Sequence, residues 1–227
     1  MIRSPVPEGP DEVAFRREPI FRLLDGEIVG EEWLLDHRSP QEALGWLPVY
    51  QALCERVPHA YTPPGRCITV NATSRQLAHR HFQPLWWSMA KRACERGKKL
   101  AIEWVECTDS PGEGLIFLEK LRTELGVSVV VDDVGSAGLD GIWRMTSIQP
   151  DTIKLDGSAF QKAQRDPWQR DLLAGIVETA RVRGIPTVAE WIETRQQRDF
   201  AVQLGAQYGQ GFWFRDLKDQ EYPKCDF

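Results

Sequence analysis

Nowhere in the sequence do about 18 apolar residues follow one another, so no segment is expected to span a bilayer. The first 15 residues, MIRSPVPEGPDEVAF, are polar and proline-rich and lack the apolar centre of a secretory leader. The five cysteines, Cys54, Cys67, Cys94, Cys107 and Cys225, are odd in number, scattered and never spaced C-x-x-C. That argues against a disulfide frame or a zinc site and for buried thiols in a reducing compartment. A cytoplasmic location is expected, and the sequon at Asn71-Ala72-Thr73 then has no bearing on glycosylation. Histidine is scarce, and His37, His59, His79 and His81 all fall at predicted surface or loop positions. Positive charge is not in excess either. A formal net charge of -5 leaves no basic surface for DNA, although a small anionic ligand held through metal ions stays compatible with it.

What is present reads as a repeating alternation of apolar strands and longer helical stretches. With 227 residues, 42% of them hydrophobic, the chain has room for a sizeable core. It is expected to form a flexible lead-in over 1–14 and one domain over 15–227. Apolar runs at 20–24 and 28–34 flank Asp25-Gly26, a hairpin signal. Further strands are predicted near 67–72, 100–105, 128–132, 151–155, 186–190 and 206–213. Helices are predicted near 40–57, 83–96, 112–125, 167–183 and 194–204. About eight strands with intervening helices predict an α/β fold of the TIM-type (β/α)8 barrel class, with one antiparallel strand at the start.

The stretch SVVVDDVGS, residues 128–136, organises the rest. Val129, Val130 and Val131 read as a strand buried on both faces, which places Asp132 and Asp133 where it leaves the core. Neighbouring side chains on a strand point to opposite sides, so both carboxylates reach one site only if the backbone turns, and Gly135 is the residue expected to permit this. Glu32, Asn71, Glu103, Asp132, Lys154, Glu190 and Gln210 each lie in or at the end of a different predicted strand. In a parallel barrel those ends are where active sites are built. Several carboxylates in one cleft repel one another unless divalent cations neutralise them, and oxygen ligands without His or Cys favour Mg2+ or Mn2+ over zinc. Two such ions suit phosphodiester cleavage, one activating water and both offsetting transition-state charge. Lys154 adds a positive group for the water or a phosphate oxygen, or pairs with a strand-end acid as a purely structural lysine.

At these positions the chain resembles the EAL-domain family of cyclic di-GMP phosphodiesterases, a bacterial signalling family, from Glu18-Pro19-Ile20 through Gln210-Gly211-Phe212. The naming motif Glu-Ala-Leu stands here as Glu32-Trp33-Leu34. Val70-Asn71-Ala72-Thr73, Glu103-Trp104-Val105-Glu106, Asp132-Asp133-Val134-Gly135, Lys154-Leu155-Asp156 and Ala189-Glu190-Trp191-Ile192-Glu193 match the family's later motifs in order. The resemblance implies one metal held by Glu32, Asn71, Glu103 and Asp132, with Asp132 bridging to a second that Asp133 and Glu190 complete. It implies catalytic roles for Lys154, Glu190 and Glu193, which position water or move a proton. Gln210 and Leu34 fall at substrate-binding positions, and Glu106 at a loop-stabilising one. The implied reaction is two-metal hydrolysis of cyclic di-GMP to linear pGpG.

The departures surround this set. Asp36 stands where the family has a phosphate-gripping arginine, and Glu18 stands where it has glutamine. Val134 to Asp140 differs from the usual Phe-Gly-Thr-Gly-Tyr-Ser-Ser loop, and the chain is one residue longer before Lys154. Trp33, Trp104 and Trp191 directly follow three of the glutamates. Trp33 and Trp104 are expected to pack outward against helices, whereas Trp191 replaces a glycine and either narrows the pocket or stacks on a guanine. Three readings stay open: an enzyme of weakened activity, a catalytically inactive module that binds cyclic di-GMP or a protein partner, and a hydrolase of a different phosphate ester. The altered loop also puts the family's homodimer in question.

Overall fold

The computed structural model describes residues 13–36, 46–105, 112–136, 138 and 140–214. Its strands close into a barrel in the order β1 to β8. They are β1 (Phe15–Arg22), β2 (Ile28–Leu35), β3 (Cys67–Ala72), β4 (Lys99–Trp104), β5 (Ser128–Val134), β6 (Thr152–Leu155), β7 (Thr187–Ala189) and β8 (Tyr208–Gly209). β1 runs antiparallel to β8, with Phe21 opposite Gly209, while β2 to β3, β3 to β4 and β5 to β8 pair in parallel. The reversed first strand follows from the turn at Asp25-Gly26, where the Gly26 N–H bonds to the Arg22 carbonyl and Gly26 takes φ 75°.

The helices among the described residues are α1 (Trp46–Arg56), α2 (Ser74–Ala78), α3 (Gln83–Glu95), α4 (Gly112–Leu125), α5 (Asp140–Ile148), α6 (Gly157–Ala163), α7 (Pro167–Val182) and α8 (Arg195–Leu204). The predicted helix over 40–57 lies partly outside the described residues, and its last turn is a 3-10 helix, Val57–His59. Three short helices, α2, α5 and α6, were not predicted from the sequence. β8 is two residues long where a strand over 206–213 was expected. Gly211, with φ 150°, lies so close to Ile192 that a Cβ would collide with its backbone, and pairing ends there.

The chain divides into two compact units. The first holds residues 1–18 and 30–129, the second 19–29 and 130–227. In the first, Ile68, Val70, Leu77, Trp86, Met89, Ile102, Leu118 and Leu121 are buried. Burial of one such side chain stabilises the fold by about 1.5–3 kcal/mol. Val13 is also buried, and its carbonyl accepts from Arg56 Nη1 at 2.6 Å. α2 starts with a capping box, in which Gln76 N–H donates to Thr73 Oγ1 at 3.2 Å and Thr73 N–H to Gln76 Oε1 at 2.9 Å.

In the second unit the core comprises Ile20, Phe21, Leu23, Val131, Ile153, Phe160, Leu173, Val177, Ile192 and Phe214. Phe21 and Phe214 stack with ring centroids 4.5 Å apart. Asp156 caps α6, accepting from Ala159 N–H at 2.8 Å, and Asp166 caps α7 ahead of Pro167. α8 has the same capping box as α2, built from Thr194 and Gln197, and stops at Gly205 in the left-handed conformation. Of the cysteines expected to be buried, Cys54 is buried and Cys67 half-buried, but Cys94 is exposed, since it sits on the outer side of α3. Cys107 and Cys225 lie outside the described residues. Among the described residues no helix is long and apolar enough to cross a membrane.

Candidate active site

Glu32, Asn71 and Glu103 belong to the first unit. Asn71 and Glu103 are Cα partners in the parallel β3 to β4 register, so their side chains emerge on the same face. Asn71 Nδ2 donates to Glu32 Oε1 at 2.8 Å, which turns Asn71 Oδ1 away as a buried oxygen that accepts no hydrogen bond. Glu32 and Glu103 are buried as well. Burying carboxylates in an apolar surround is costly unless positive charge reaches them.

The residue after each glutamate anchors it from behind. Trp104 faces outward, as strand alternation requires, and donates through Nε1 to Ser74 Oγ on α2 at 2.8 Å. α4 closes over that contact. A Cβ on Gly114 would collide with the Ser74 carbonyl, so only glycine allows the approach. Trp33 is buried against Phe15, lies under the Arg17 guanidinium at 4.6 Å and donates to Glu31 Oε1 at 3.0 Å. Leu34 is partly exposed at the end of β2. Asp36, where the family carries arginine, is buried and its N–H donates to the Ala14 carbonyl at 2.8 Å. Glu106 lies outside the described residues.

The second unit gathers Asp132, Asp133 and Glu190, each offering a carboxylate oxygen within 4.8 Å of the others. The backbone achieves this differently from the sequence expectation. Asp133 itself takes a left-handed conformation, φ 55°, and the β5 to β6 register shifts between Val131 and Val134. The turn is therefore made at Asp133 as well as at Gly135 (φ 91°), and it brings two adjacent side chains to one site. Aspartate tolerates the left-handed region better than most residues, which is why the sequence can place it there.

Two features hold that turn. Arg144 of α5 is buried; its Nε donates to Asp140 Oδ2 at 2.6 Å and its Nη2 to the Asp132 carbonyl at 2.8 Å. Gly141 brings the α5 backbone against the strand, where a Cβ would lie 2.9 Å from the Asp133 carbonyl oxygen. Neither contact was legible in the sequence, because α5 was not predicted.

Lys154 Nζ, also buried, lies 2.6 Å from Glu190 Oε1 and 3.6 Å from Asp132 Oδ1. Asp132 Oδ1 is buried and accepts no hydrogen bond. Burial raises the Asp133 pKa to about 6, helped by the negative charges of Asp132 and Asp156 and opposed by Arg144 and Lys154. Three carboxylates against one ammonium leave an excess of negative charge that a divalent cation would offset. The oxygen donors, with Asp132 Oδ1 and Asn71 Oδ1 accepting no hydrogen bond, fit a hard divalent cation.

Gln210 is buried, with its N–H on the Ala189 carbonyl at 3.0 Å. Glu193 is exposed, and its N–H donates to Gln197 Oε1 at 2.6 Å; its carboxylate is not part of the Asp132, Asp133 and Glu190 group.

The family model described as "EAL domain" matches residues 10–216. The chain belongs to the EAL-domain family. Over 95% of its length it is 25% identical to the probable cyclic di-GMP phosphodiesterase PdeB of Escherichia coli. Over half of its length it is 31% identical to the cyclic di-GMP phosphodiesterase RocR of Pseudomonas aeruginosa. The chain spans 44% of the first relative and 29% of the second, so it corresponds to less than half of either. Among solved structures, a manganese and cyclic di-GMP complex of Klebsiella pneumoniae BlrP1 superposes with a TM-score of 0.75 at 22% identity, covering 93% of this chain and 57% of that one. An EAL-domain protein of Listeria monocytogenes superposes at 0.72 with 19% identity, covering 92% of each chain. These two likenesses establish the (β/α)8 barrel of EAL proteins as the fold.

Proposed function

We propose that this EAL domain hydrolyses cyclic di-GMP to linear pGpG with two divalent cations, Mg2+ or Mn2+. The observation that supports it most is the cluster of Asp132, Asp133 and Glu190 around Lys154, with more carboxylates than the lysine can neutralise. Glu32, Asn71 and Glu103 would hold one cation and Asp132, Asp133 and Glu190 the other. Bound cations would activate water and offset the charge that develops on the phosphoryl group. In the reaction, water oxygen bonds to phosphorus, the P–O3′ bond breaks, and the 3′ oxygen leaves as a hydroxyl. Lys154 holds the Glu190 and Asp132 carboxylates in place and lends positive charge to the phosphate. Glu193, which reaches solvent, relays the proton released by water. Gln210 and Leu34 contact substrate.

Asp36 favours one second reading. A carboxylate in place of a phosphate-gripping arginine weakens the hold on cyclic di-GMP, which suits a domain that hydrolyses a different phosphate ester. The deciding experiment is incubation of purified protein with cyclic di-GMP and Mn2+, with chromatographic identification of product and Glu32→Ala as control. Accumulation of pGpG that disappears in the variant is the expected result. Binding by calorimetry without product overturns hydrolysis and leaves a binding module, whereas the absence of both, with Mn2+-dependent cleavage of a chromogenic diester, establishes the second reading.

A further inference from the structure

Trp191 is 56% exposed, yet it is mounted as firmly as a core residue. Its backbone lies in the left-handed region at φ 55°, which costs a bulky residue about 1 kcal/mol and which glycine would occupy without strain. A Cβ on Gly157 would collide with the indole, meeting Cγ, Cδ1 and Cδ2 of the five-membered ring first. Gly157 thus lies against one face of that ring, while the residue as a whole stays more than half exposed.

The main chain is clamped on both sides. The Trp191 carbonyl accepts from Gln161 Nε2 at 2.7 Å, and Gln161 Oε1 accepts in turn from Gln197 Nε2 at 2.7 Å. The next residue, Ile192, donates to the Gln210 carbonyl and accepts from Trp213 N–H, both at 3.0 Å. Hydrophobic burial does not account for a residue held this way and still 56% exposed. Its immediate neighbour is Glu190, whose carboxylate pairs with Lys154.

We infer that Trp191 is a stacking platform for a purine base whose phosphate is held beside Lys154, through a cation at the adjacent Glu190. The inference rests on the proposed function for its setting and adds a specificity determinant to it. A flat, rigid π surface beside a cluster that takes phosphate through a cation recognises the heterocycle attached to that phosphate, and every purine offers a matching face. Because ring and backbone are already fixed, little side-chain entropy is lost on binding.

The test is calorimetric titration with guanosine 5′-monophosphate and with ribose 5-phosphate, each in Mn2+, for wild type, Trp191→Gly and Trp191→Phe. Trp191→Gly is expected to weaken the nucleotide about tenfold and Trp191→Phe about threefold, with ribose 5-phosphate unchanged. The thermal midpoint of Trp191→Gly stays level or rises, since the left-handed backbone is relieved; a fall marks a packing role and overturns the platform. Equal nucleotide affinity in wild type and Trp191→Gly overturns it too, as does a wild type that binds the nucleotide no better than ribose 5-phosphate. Cyclic di-GMP hydrolysis, assayed in parallel, separates the two claims. Hydrolysis with an unchanged KM in Trp191→Gly removes the platform and keeps the proposed function. Nucleotide affinity that depends on Trp191 in a protein that does not hydrolyse cyclic di-GMP keeps the platform and removes the proposed function.

Discussion

The two units deliver their acidic groups by different means. In the first, β3 and β4 run in unbroken register from Cys67 opposite Lys99 to Ala72 opposite Trp104, and alternation alone brings Asn71 and Glu103 to one face. In the second, the described non-glycine residues with positive φ are Asp133, Gln149 and Trp191, and two of these belong to or adjoin the carboxylate cluster. Regular strands can present every second residue and no more. Presenting two consecutive carboxylates requires a departure from the strand, and that departure has to be held by something else, here Arg144 and Gly141.

The comparison breaks most sharply at the acids themselves. Glu103→Gln and Asp132→Asn should each lower cyclic di-GMP hydrolysis by at least about 100-fold, measured as kcat/KM in Mn2+. A collapse in only one of them would show that the two clusters are not equal partners. Next in size, Arg144→Met combined with Asp140→Ala removes the brace without leaving a lone carboxylate. It should weaken Mn2+ by about 10–100-fold in a metal titration, and an unchanged affinity would make Arg144 merely part of the packing. Gly114→Ala and Gly141→Ala both force a Cβ onto neighbouring backbone and should each cost about 1–3 kcal/mol in urea denaturation. Gly141→Ala should shift metal affinity the more, because that site touches the ligand backbone at Asp133 directly, whereas Gly114 reaches Glu103 only through Ser74 and Trp104. Thr73→Ala should cost about 1 kcal/mol, from the loss of the α2 cap, and leave hydrolysis unchanged.

A separate effect is a slope with pH. Asp133 has a folded pKa of about 6 against an ordinary 3.8, so the folded state holds that proton more tightly than the unfolded chain does. Its contribution to the stability of metal-free protein is full below about pH 4 and is lost as pH rises through about 6. Denaturation midpoints across that window should show the decline. Asp133→Asn or saturating Mn2+ should flatten it, and a slope unchanged in Asp133→Asn would assign it to another group.

The same contrast explains what could be read from the sequence. The barrel class, the reversed first strand and the strand positions of Asn71, Glu103 and Lys154 follow from periodicity and turn residues, which act over a few neighbours. The helix over 112–125 matches its prediction to the residue. α2 carried a legible signal that was passed over, Thr73-x-x-Gln76, which is a capping box. α5 and α6 are short and follow turns, and their hold on the site depends on Arg144 and Gly157, whose partners are set by the fold. The positive φ of Asp133 could not be inferred, since a strand ending in two aspartates and a glycine offers Gly135 as the obvious place to turn. The outward packing of Trp104 against a helix was legible because alternation fixes it once Glu103 is placed, whereas Trp33, also expected against helices, meets Phe15 and Arg17 of β1.

The position of Lys154 has a consequence for the demand on any cation. Its ammonium lies among the β5 and β7 carboxylates, 2.6 Å from Glu190, and supplies part of the positive charge they need before any cation arrives. Part of the charge balance of these strand ends is therefore written into the chain itself, and a cation has only the remainder to supply.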